Sequence, residues 1–241
     1  MSASPQLGAS ALIVVPTFDE AANLPRLLDA IAAIAPAAHV LVVDDGSPDG
    51  TGSIAAARSA ADPRVHVLLR SGKQGLGTAY VDGFRWGLAR GYALLLEMDA
   101  DLSHQPAHLP ALLTAAQRYD AVVGSRYIPG GRTIGWPRHR RLLSRGANLY
   151  ARVALGLPYA DVTGGFRCFR ADAVRRIELG AIRSRGYGFQ VELLYRLHAA
   201  GCSVGEVPIT FPQRTDGASK MSGAIMSEAL FNVWRLRGAP R

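Results

Sequence analysis

The sequence predicts an α/β fold with a mostly parallel, doubly wound central sheet. Short apolar runs of strand length alternate with segments of helical periodicity through the first half of the chain. Several of these runs stop at a proline or at acidic and glycine residues, as buried strands do at their ends. Regular alternation of strand and helix is typical of βαβ units, in which the strands are parallel and helices cover both faces.

The individual elements follow from the length and period of each segment. Five apolar runs predict strands, at residues 11–15, 40–43, 65–69, 93–98 and 121–123. Segments of helical period predict helices at residues 24–34, 79–89, 106–118, 138–155 and about 221–237. Residues 127–137 are rich in glycine and proline, which predicts a mobile or specially shaped loop and a candidate lid.

A single globular domain accounts for the length and the composition. With 241 residues, of which 49% are hydrophobic and 19% charged, the chain can bury its own core, so we expect one domain over residues 1–241. No apolar run reaches the roughly 18 residues that span a bilayer. Residues 1–11 lack the features of a signal peptide, and two cysteines give no disulfide framework, so we expect a cytoplasmic protein.

The net charge of +8 comes almost wholly from arginine, because Lys73 and Lys220 are the only lysines. Arginine recognises phosphate through planar, bidentate hydrogen bonding, so the excess indicates nucleotides, nucleic acid or an anionic membrane surface as partners. Aromatic residues make up 7% of the chain and are not interleaved with the basic ones. We therefore expect no nucleic-acid partner.

Two carboxylates, Asp99 and Asp101, directly follow a predicted buried strand. Residues i and i+2 of an extended chain face the same side, so both can face one point beyond the strand. Hard cations such as Mg²⁺ take carboxylate oxygens and complete their coordination with water and substrate phosphates. So short a motif is weak evidence by itself, but the carboxyl end of a parallel strand is where ligands bind in such sheets.

Other polar segments allow two interpretations each. Residues 44–51 are either a turn-rich loop that caps the next helix or one wall of a nucleotide pocket beside the two carboxylates. Residues 75–78 open a helix whose free amides either face an anion or serve only as a turn and cap. The P-loop and dinucleotide-binding glycine patterns are not matched, and Pro106 between His104 and His108 disfavours a zinc site.

The helices predicted at residues 138–155 and 221–237 carry apolar stripes together with several arginines. Basic amphipathic helices can lie on a membrane surface. In the commoner arrangement, which we expect here, the stripes face the core and the arginines are solvated. In the first of these helices the stripe consists of Leu142, Gly146, Leu149, Tyr150 and Val153.

Eight short motifs occur in a fixed order along the chain. They are VVPTFDE at 14–20, VDDGSPDGT at 43–51, GLGTAY at 75–80, MDADLSH at 98–104, GSRY at 124–127, TGGFR at 163–167, YGFQVE at 187–192 and SKM at 219–221. This set resembles the polyprenol-phosphate (dolichol-phosphate) mannosyltransferases, which are inverting family 2 glycosyltransferases with a GT-A fold. The resemblance covers about residues 11–223 and implies a GT-A domain that binds a nucleotide sugar.

The resemblance implies a donor site built mainly from the first, second and fourth motifs. The residues that it assigns to the nucleotide are Pro16, Phe18, Glu20, Val43 and Asp45. Those that it assigns to a Mg²⁺ or Mn²⁺ ion and the diphosphate are Asp99, Ala100 and Asp101, with Arg214 and Lys220 closing over the donor. Ser103 takes the position of a glutamine that completes the metal shell in some relatives and is the candidate third ligand.

The resemblance also implies an acceptor site at Arg126, Arg140 and Gln190. The implied reaction is inverting transfer of mannose from GDP-mannose to a polyprenyl monophosphate, with Asp99, Asp101 and Arg126 as the catalytic residues. A phosphate monoester already carries a charge of about −1.5 to −2 at pH 7. Such a nucleophile needs no general base, which fits a sequence without an obvious catalytic histidine.

The partners expected from this resemblance are GDP-mannose, a polyprenyl phosphate, the cytoplasmic face of a membrane contacted peripherally, and a membrane-anchored protein. Two alternatives stay open. The same fold could use UDP-glucose or another nucleotide sugar, because fold does not fix the substrate. The chain could also be a non-catalytic nucleotide-sugar-binding or membrane-scaffolding subunit, although its carboxylate and arginine motifs argue for catalysis.

Overall fold

The computed structural model describes residues 10–184, 186, 188–213 and 233–237. Its strands are β1 (Ala11–Thr17), β2 (His39–Asp44), β3 (Val65–Leu69), β4 (Leu94–Glu97), β5 (Ala121–Ser125), β6 (Arg132–Ile134), β7 (Arg167–Arg170), β8 (Val204–Pro208) and β9 (Thr210–Pro212). Seven of them form one sheet in the order β3-β2-β1-β4-β7-β5-β8, and β6 pairs with β9 in a separate parallel ribbon. Strand β7 is antiparallel to both neighbours, and the other neighbouring strands of this sheet are parallel.

Helices cover both faces of the sheet. They are α1 (Leu24–Ile34), α2 (Thr51–Ala61), α3 (Leu76–Ala89), α4 (Leu109–Ala115), α5 (Arg138–Leu155), α6 (Ala171–Arg175) and α7 (Gly188–Ala199), with 3-10 turns at Pro106–His108 and Leu179–Ala181. Side chains of β1 alternate between two cores: Ile13 and Val15 pack with α1 and α4, whereas Leu12 and Val14 pack with α3 and α7. Strands buried on both faces appear in sequence as continuous apolar runs, and the predicted doubly wound α/β fold is confirmed.

The parallel strands bring the polar segments to one edge. Strands β1, β2, β4 and β5 run in the same direction, since β7, between β4 and β5, is antiparallel to both. Their carboxyl ends therefore meet at the same edge of the sheet, where the loops after β1, β2, β4 and β5 carry the predicted site residues. This is the edge at which open α/β sheets bind ligands.

Some local features of the structure were not predicted or differ from the prediction. Strand β7 was not predicted, because a four-residue segment with arginine at both ends does not look like a buried strand. The helix predicted at 106–118 is a 3-10 turn followed by α4, which ends at Ala115. The predicted irregular loop at 127–137 contains β6, which pairs with β9 and so ties the candidate lid to the main chain after β8.

Helix α5 turns its apolar stripe outward, so the expectation that this stripe faces the core is wrong. The side chains of Leu142, Leu149 and Val153 are 72%, 58% and 74% exposed. The buried residues of α5 are Asn148 and Ala151 on the opposite side. Amphipathic spacing predicted the helix but could not identify which face would be covered.

The second predicted stripe is described only at residues 233–237, which are helical. Val233 and Leu236 are buried there, whereas Trp234 is 69% exposed. The rest of the predicted helix at 221–237 lies outside the described residues. Among the helices of the described ranges, none combines the length and apolarity needed to cross a bilayer.

Two helix-internal glycines have opposite surroundings and provide a matched test of the packing. A Cβ atom on Gly83 of α3 would clash with the buried, β-branched Val14 of β1, whereas one on Gly146 of α5 would meet no atom within 4 Å. We expect Gly83→Ala to lower the free energy of unfolding by about 1–3 kcal/mol. We expect Gly146→Ala to raise it by up to about 1 kcal/mol. Urea unfolding measures both, and a more stable Gly83→Ala variant would contradict the close contact of α3 with β1.

Candidate active site

The loops after β1 and β2 are joined by side-chain hydrogen bonds. Thr17 Oγ1 donates to Oδ1 of Asp44 over 2.9 Å, and the Ser47 hydroxyl donates to the same oxygen over 2.6 Å. Asp49 Oδ2 accepts the backbone N–H of Ala21 over 2.9 Å. Asp44, Ser47 and Asp49 therefore hold the shape of this edge. Helix α2 begins after Gly50 without a side-chain hydrogen bond at its cap, so the segment at 44–51 shapes the loop and does not cap the helix.

The residues assigned to the nucleotide lie together at this edge. Pro16 and Val43 pair in parallel register near the ends of β1 and β2. Phe18 and Asp45 each follow one of these strands, and Glu20 lies in the loop before α1. An aromatic ring and two carboxylates in one place suit a nucleobase and ribose hydroxyl groups. Their roles toward a nucleotide stay predictions.

The side chain of Asp45 is held in place by the segment after β3. Arg70 Nε lies 2.7 Å from Asp45 Oδ1, and both side chains are less than 10% exposed. The backbone N–H of Gln74 donates to Asp45 Oδ2 over 3.1 Å. Lys73, in the same segment, places Nζ 4.2 Å above the ring of Phe18. The loop after β3 thus forms a third wall of the predicted nucleotide site.

Residues 75–78, which allowed either an anion site or a turn and cap, form the beginning of helix α3. Gly75 precedes the helix with a φ of 102°, a conformation that favours glycine. A Cβ atom on Gly77 would lie 2.7 Å from the backbone oxygen of Ser184. Gly77 therefore allows close approach of α3 to the segment before α7, and this packing gives the motif a structural reason.

Asp99 and Asp101 follow β4, and each is oriented by a neighbouring hydroxyl group. The Tyr80 hydroxyl on α3 donates to Asp99 Oδ1 over 3.1 Å. Ser103 donates to Asp101 Oδ1 with both its backbone N–H, over 3.0 Å, and its hydroxyl, over 2.5 Å. Asp101 is buried, whereas Asp99 is partly exposed. Ser103 therefore orients Asp101, and its role as a metal ligand stays a prediction.

His104 supports the same turn from the other side. Its Nδ1 accepts the backbone N–H of Asp99 over 2.9 Å, so the proton of the neutral ring is on Nε2, which lies 3.8 Å from Asp99 Oδ2. Burial lowers the pKa of His104, which favours this neutral form. The ring stacks on Phe166 at 5.0 Å and meets Phe211 edge-on at 5.5 Å. His104 is thus a structural support of Asp99.

The donor set at Asp99 and Asp101 fits a hard divalent cation. Carboxylate oxygens are the ligands that Mg²⁺ and Mn²⁺ prefer, with phosphate and water oxygens in the remaining positions. No cluster of three or more His, Cys, Asp or Glu side chains suited to a metal occurs among the described residues. Two carboxylates without a protein cage are the arrangement expected when a substrate diphosphate supplies part of the coordination.

Two buried ionisable side chains lie next to the two carboxylates. Glu97 of β4 and Arg167 of β7 pair in register, and both are fully buried. Arg167 donates to the backbone oxygens of Gln190, over 2.5 Å, and Val162, over 2.8 Å. Burial raises the pKa of Glu97 to about 8, although Arg167 and the Gln190 amide lower it. Gln190 thus lies beside Glu97, and Glu97 is two residues before Asp99 in the sequence.

Arg126, directly after β5, forms a bidentate ion pair with Asp161. Nε and Nη2 lie 2.7 and 2.8 Å from the two carboxylate oxygens, and the backbone N–H of Arg126 donates to Asp161 over 3.0 Å. Nη2 also donates to Thr163 Oγ1 over 2.9 Å. Burial alone would raise the pKa of Asp161, but Arg126 outweighs it and lowers the pKa below the usual value. The guanidinium is therefore fixed before any ligand binds.

Beside Arg126 lies a cavity of about 170 Å³ with a strongly cationic wall. The charged and aromatic residues that line it are Arg126, Tyr127, Arg132, Trp136, Arg141 and Arg145. Arg140 lies against the same wall, with its guanidinium 4.0 Å from the ring of Trp136. A small cavity surrounded by arginine suits a phosphate group.

The aromatic ring of Phe211 connects the cationic cavity with the carboxylate pair. It lies 5.5 Å from the Arg126 guanidinium and 5.5 Å from the His104 ring, which supports Asp99. The structure thus brings Asp99, Asp101 and Arg126 to one region, and Arg140 lies against Trp136 of the cavity wall. Arg214 and Lys220, which we expected to close over the donor, lie outside the described residues.

Sequence reasoning missed four residues that hold the site together, namely Arg70, Tyr80, His104 and Asp161. Two of them, Tyr80 and His104, belong to the motifs GLGTAY and MDADLSH. Their presence in these motifs was a signal that they contribute to the site. Asp161 lies two residues before the TGGFR motif. Its partner Arg126 is 35 residues away in sequence, so spacing carries no signal for this pair.

The sheet, the paired carboxylates after β4 and the polar loops after β1 and β2 define a protein of the GT-A class, a fold that binds nucleotide sugars. The model of the family described as glycosyl transferase family 2 matches residues 12–178. The chain therefore belongs to glycosyl transferase family 2.

Two relatives are similar over nearly their whole length. An undecaprenyl-phosphate mannosyltransferase of Micrococcus luteus is 53% identical over 224 residues, which cover 93% of this chain and 92% of that protein. A polyprenol monophosphomannose synthase of Mycolicibacterium smegmatis is 49% identical over 231 residues, which cover 94% of this chain and 87% of that protein.

Among solved structures, a similar one is glucosyl-3-phosphoglycerate synthase of Mycobacterium tuberculosis in complex with Mn²⁺, uridine diphosphate and phosphoglyceric acid. The TM-score is 0.73 and the identity 18%, with 100% of this chain and 84% of that chain covered. At this identity the likeness supports the GT-A fold alone.

The buried pair of Arg126 and Asp161 can be compared with the exposed pair of Arg58 and Asp29, which has a similar separation of 2.6 Å. Asp161→Ala leaves a buried guanidinium without its carboxylate, so we expect a loss of about 3–5 kcal/mol in the free energy of unfolding. Asp29→Ala should cost about 1 kcal/mol or less. Chemical denaturation measures both, and equal losses would contradict the structural role of Asp161.

Proposed function

We propose that this protein transfers mannose, with inversion, from GDP-mannose to a polyprenyl monophosphate. The names of the two relatives at about half identity support mannose and a polyprenol phosphate. The observation that carries the proposal is the arginine-lined cavity, whose Arg126 is connected through the ring of Phe211 to His104, the support of Asp99. The carboxylates of Asp99 and Asp101 suit a metal ion bound to the diphosphate of a donor, and the cavity suits the phosphate of an acceptor.

On the donor side, the base and ribose would occupy the edge formed by Phe18, Glu20 and Asp45. Asp45 is already fixed by Arg70, so its carboxylate is preorganised to accept hydrogen bonds. Asp99 and Asp101 would hold a Mg²⁺ or Mn²⁺ ion on the diphosphate. When bound, this ion neutralises charge on the departing GDP, a Lewis-acid effect worth several kcal/mol.

On the acceptor side, Arg126 and the other cavity arginines would bind the lipid phosphate. Its oxygen forms the new bond to the anomeric carbon of mannose while the bond from that carbon to GDP breaks on the opposite face. This displacement inverts the anomeric centre. The attacking oxygen is already anionic at pH 7, so the residues around it orient the nucleophile and need not remove a proton.

The outward face of α5 supports contact with a membrane, where a polyprenyl phosphate resides. Leu142, Leu149 and Val153 project from the helix, and Arg141 and Arg145 line the cavity beside it. Exposed apolar side chains insert at a bilayer interface, while nearby arginines are attracted to anionic head groups. In this arrangement the lipid phosphate would reach the cavity from the membrane side.

The enzymatic proposal is tested by transfer of radiolabelled sugar into extractable lipid. With polyprenyl phosphate and Mn²⁺, we expect transfer from GDP-mannose and its loss on addition of chelator. Asp101→Asn should lower kcat by about 100-fold or more, because it removes charge stabilisation of the leaving group. Asp172→Asn is the control, since Asp172 is an exposed residue of α6 that pairs with Arg175 on the same helix.

Turnover with UDP-sugars alone would overturn the assignment of the donor. Full activity of Asp101→Asn in the presence of chelator would overturn the metal-dependent mechanism. Binding of GDP-mannose without any transfer would instead favour a non-catalytic nucleotide-sugar-binding protein.

Membrane contact is tested by sedimentation with vesicles that contain phosphatidylglycerol. Replacing Leu142, Leu149 and Val153 together by serine should weaken binding on the order of tenfold or more, because it removes apolar area from the interface. Leu69→Ser is the control, because Leu69 is 63% exposed on β3, at the opposite end of the sheet from β5 and β8. Unchanged binding of the triple variant would contradict contact through α5.

A further inference from the structure

The segment that precedes the TGGFR motif, residues 160–162, is held from two sides by buried or half-buried polar side chains. On one side, Asn148 of α5 donates from Nδ2 to the Ala160 carbonyl oxygen over 2.6 Å and accepts the Val162 N–H at Oδ1 over 2.8 Å. On the other side, Glu206 of β8 accepts the N–H groups of Ala160, over 2.7 Å, and Asp161, over 3.0 Å. The backbone is therefore fixed on both sides of Asp161.

Fixing this segment also fixes Arg126. The Asp161 carboxylate has no exposed surface and forms the bidentate pair with Arg126. A shift of the backbone at residues 160–162 would move the carboxylate and, with it, the guanidinium that lines the cationic cavity. Asn148 is not among the residues that line the cavity, so its effect on ligand binding passes through Asp161 or through the cavity arginines of its own helix, Arg141 and Arg145.

The position of Asn148 on its helix adds an independent observation. It is the buried polar residue of α5, whose outward face carries Leu142, Leu149 and Val153. An amide buried on a helix is favourable only when its polar atoms are bonded, and here both amide groups bond the same short segment. The helix with the membrane-facing stripe is therefore bonded directly to the segment that orients Arg126.

We infer that Asn148 is a positioning residue, which sets Arg126 for the acceptor phosphate and couples the seating of α5 to the acceptor site. The inference rests on the proposed function, because it takes the cavity beside Arg126 as the phosphate site. It assigns Asn148 an effect on the affinity for a prenyl phosphate and no effect on the affinity for the nucleotide.

The test is calorimetric binding of two probes, geranyl monophosphate and GDP with Mn²⁺, to the full chain. For Asn148→Ala we expect the Kd for geranyl monophosphate to rise on the order of tenfold and the Kd for GDP to stay as in the wild type. Asn148→Asp keeps the oxygen that accepts from Val162 but sets a buried carboxylate oxygen against the Ala160 carbonyl oxygen, so we expect a rise at least as large as in the alanine variant. This second variant also serves if the alanine variant fails to fold.

Ser203→Ala provides a matched control. It removes hydrogen bonds between Ser203 and Asp120, which likewise join two segments of the chain, at the amino-terminal ends of β8 and β5 and away from Arg126. Neither Kd should change in this variant. If Asn148 had a purely structural role, its loss would weaken the binding of both probes. That result would overturn the inference, and so would an unchanged Kd for geranyl monophosphate.

The binding test separates this inference from the proposed function. If the wild type binds both probes but transfers no mannose, the proposed function fails, while the ratio of the two Kd values still decides the role of Asn148. If the wild type does not bind geranyl monophosphate, the cavity is not a prenyl-phosphate site and the inference fails.

Discussion

The ion pair between Arg126 and Asp161 is the interaction on which the proposed acceptor side of this glycosyltransferase depends. Both side chains are removed from water, a state that is tolerated only because the guanidinium and carboxylate match in a bidentate geometry. The carboxylate also accepts the backbone N–H groups of Arg126 and Gly164. One side chain therefore fixes the end of β5, the TGGFR segment and the arginine that lines the cationic cavity.

The proposed donor side is built on the same principle of fixed charge. Asp45 is held by Arg70, Asp99 by Tyr80, and Asp101 by Ser103. Such preorganised groups need little rearrangement when charge develops on a leaving group, which is where most of the catalytic stabilisation of such a transfer arises. Since the proposed nucleophile is itself an anionic phosphate, the site requires orientation and charge stabilisation, and His104 is used as a support of the turn.

The sequence predicted the parts of this architecture that depend on local pattern. Continuous apolar runs predicted the five strands β1 to β5, and the i, i+2 spacing of Asp99 and Asp101 predicted their common edge. Strand β7 was not predicted, because the burial of Arg167 depends on carbonyl oxygens of Gln190 and Val162, which come from other parts of the chain. The role of Asp161 was not predicted for the same reason, since a single carboxylate forms no sequence pattern that would reveal its distant partner.

Helix α5 shows a different limit of sequence reasoning. Its period predicted an amphipathic helix, but the direction of the apolar stripe depends on what the opposite face can bond. That face carries Asn148, whose amide forms hydrogen bonds with the backbone on both sides of Asp161. With this face turned inward, the leucine stripe is exposed to solvent. The polar contact thus accounts for an exposed apolar surface near the cationic cavity, a combination that suits the proposed action on a lipid phosphate.

The central claim is that Arg126, the proposed acceptor arginine, is fixed before ligands bind. The most direct measurement is hydrogen exchange at the Nε–H of Arg126 in ¹⁵N-labelled protein without ligands, with the resonance assigned through Arg126→Lys. The account predicts a resonance protected from solvent exchange that loses protection in Asp161→Asn. Exchange as fast as that of the exposed Arg138 in the wild type would contradict it.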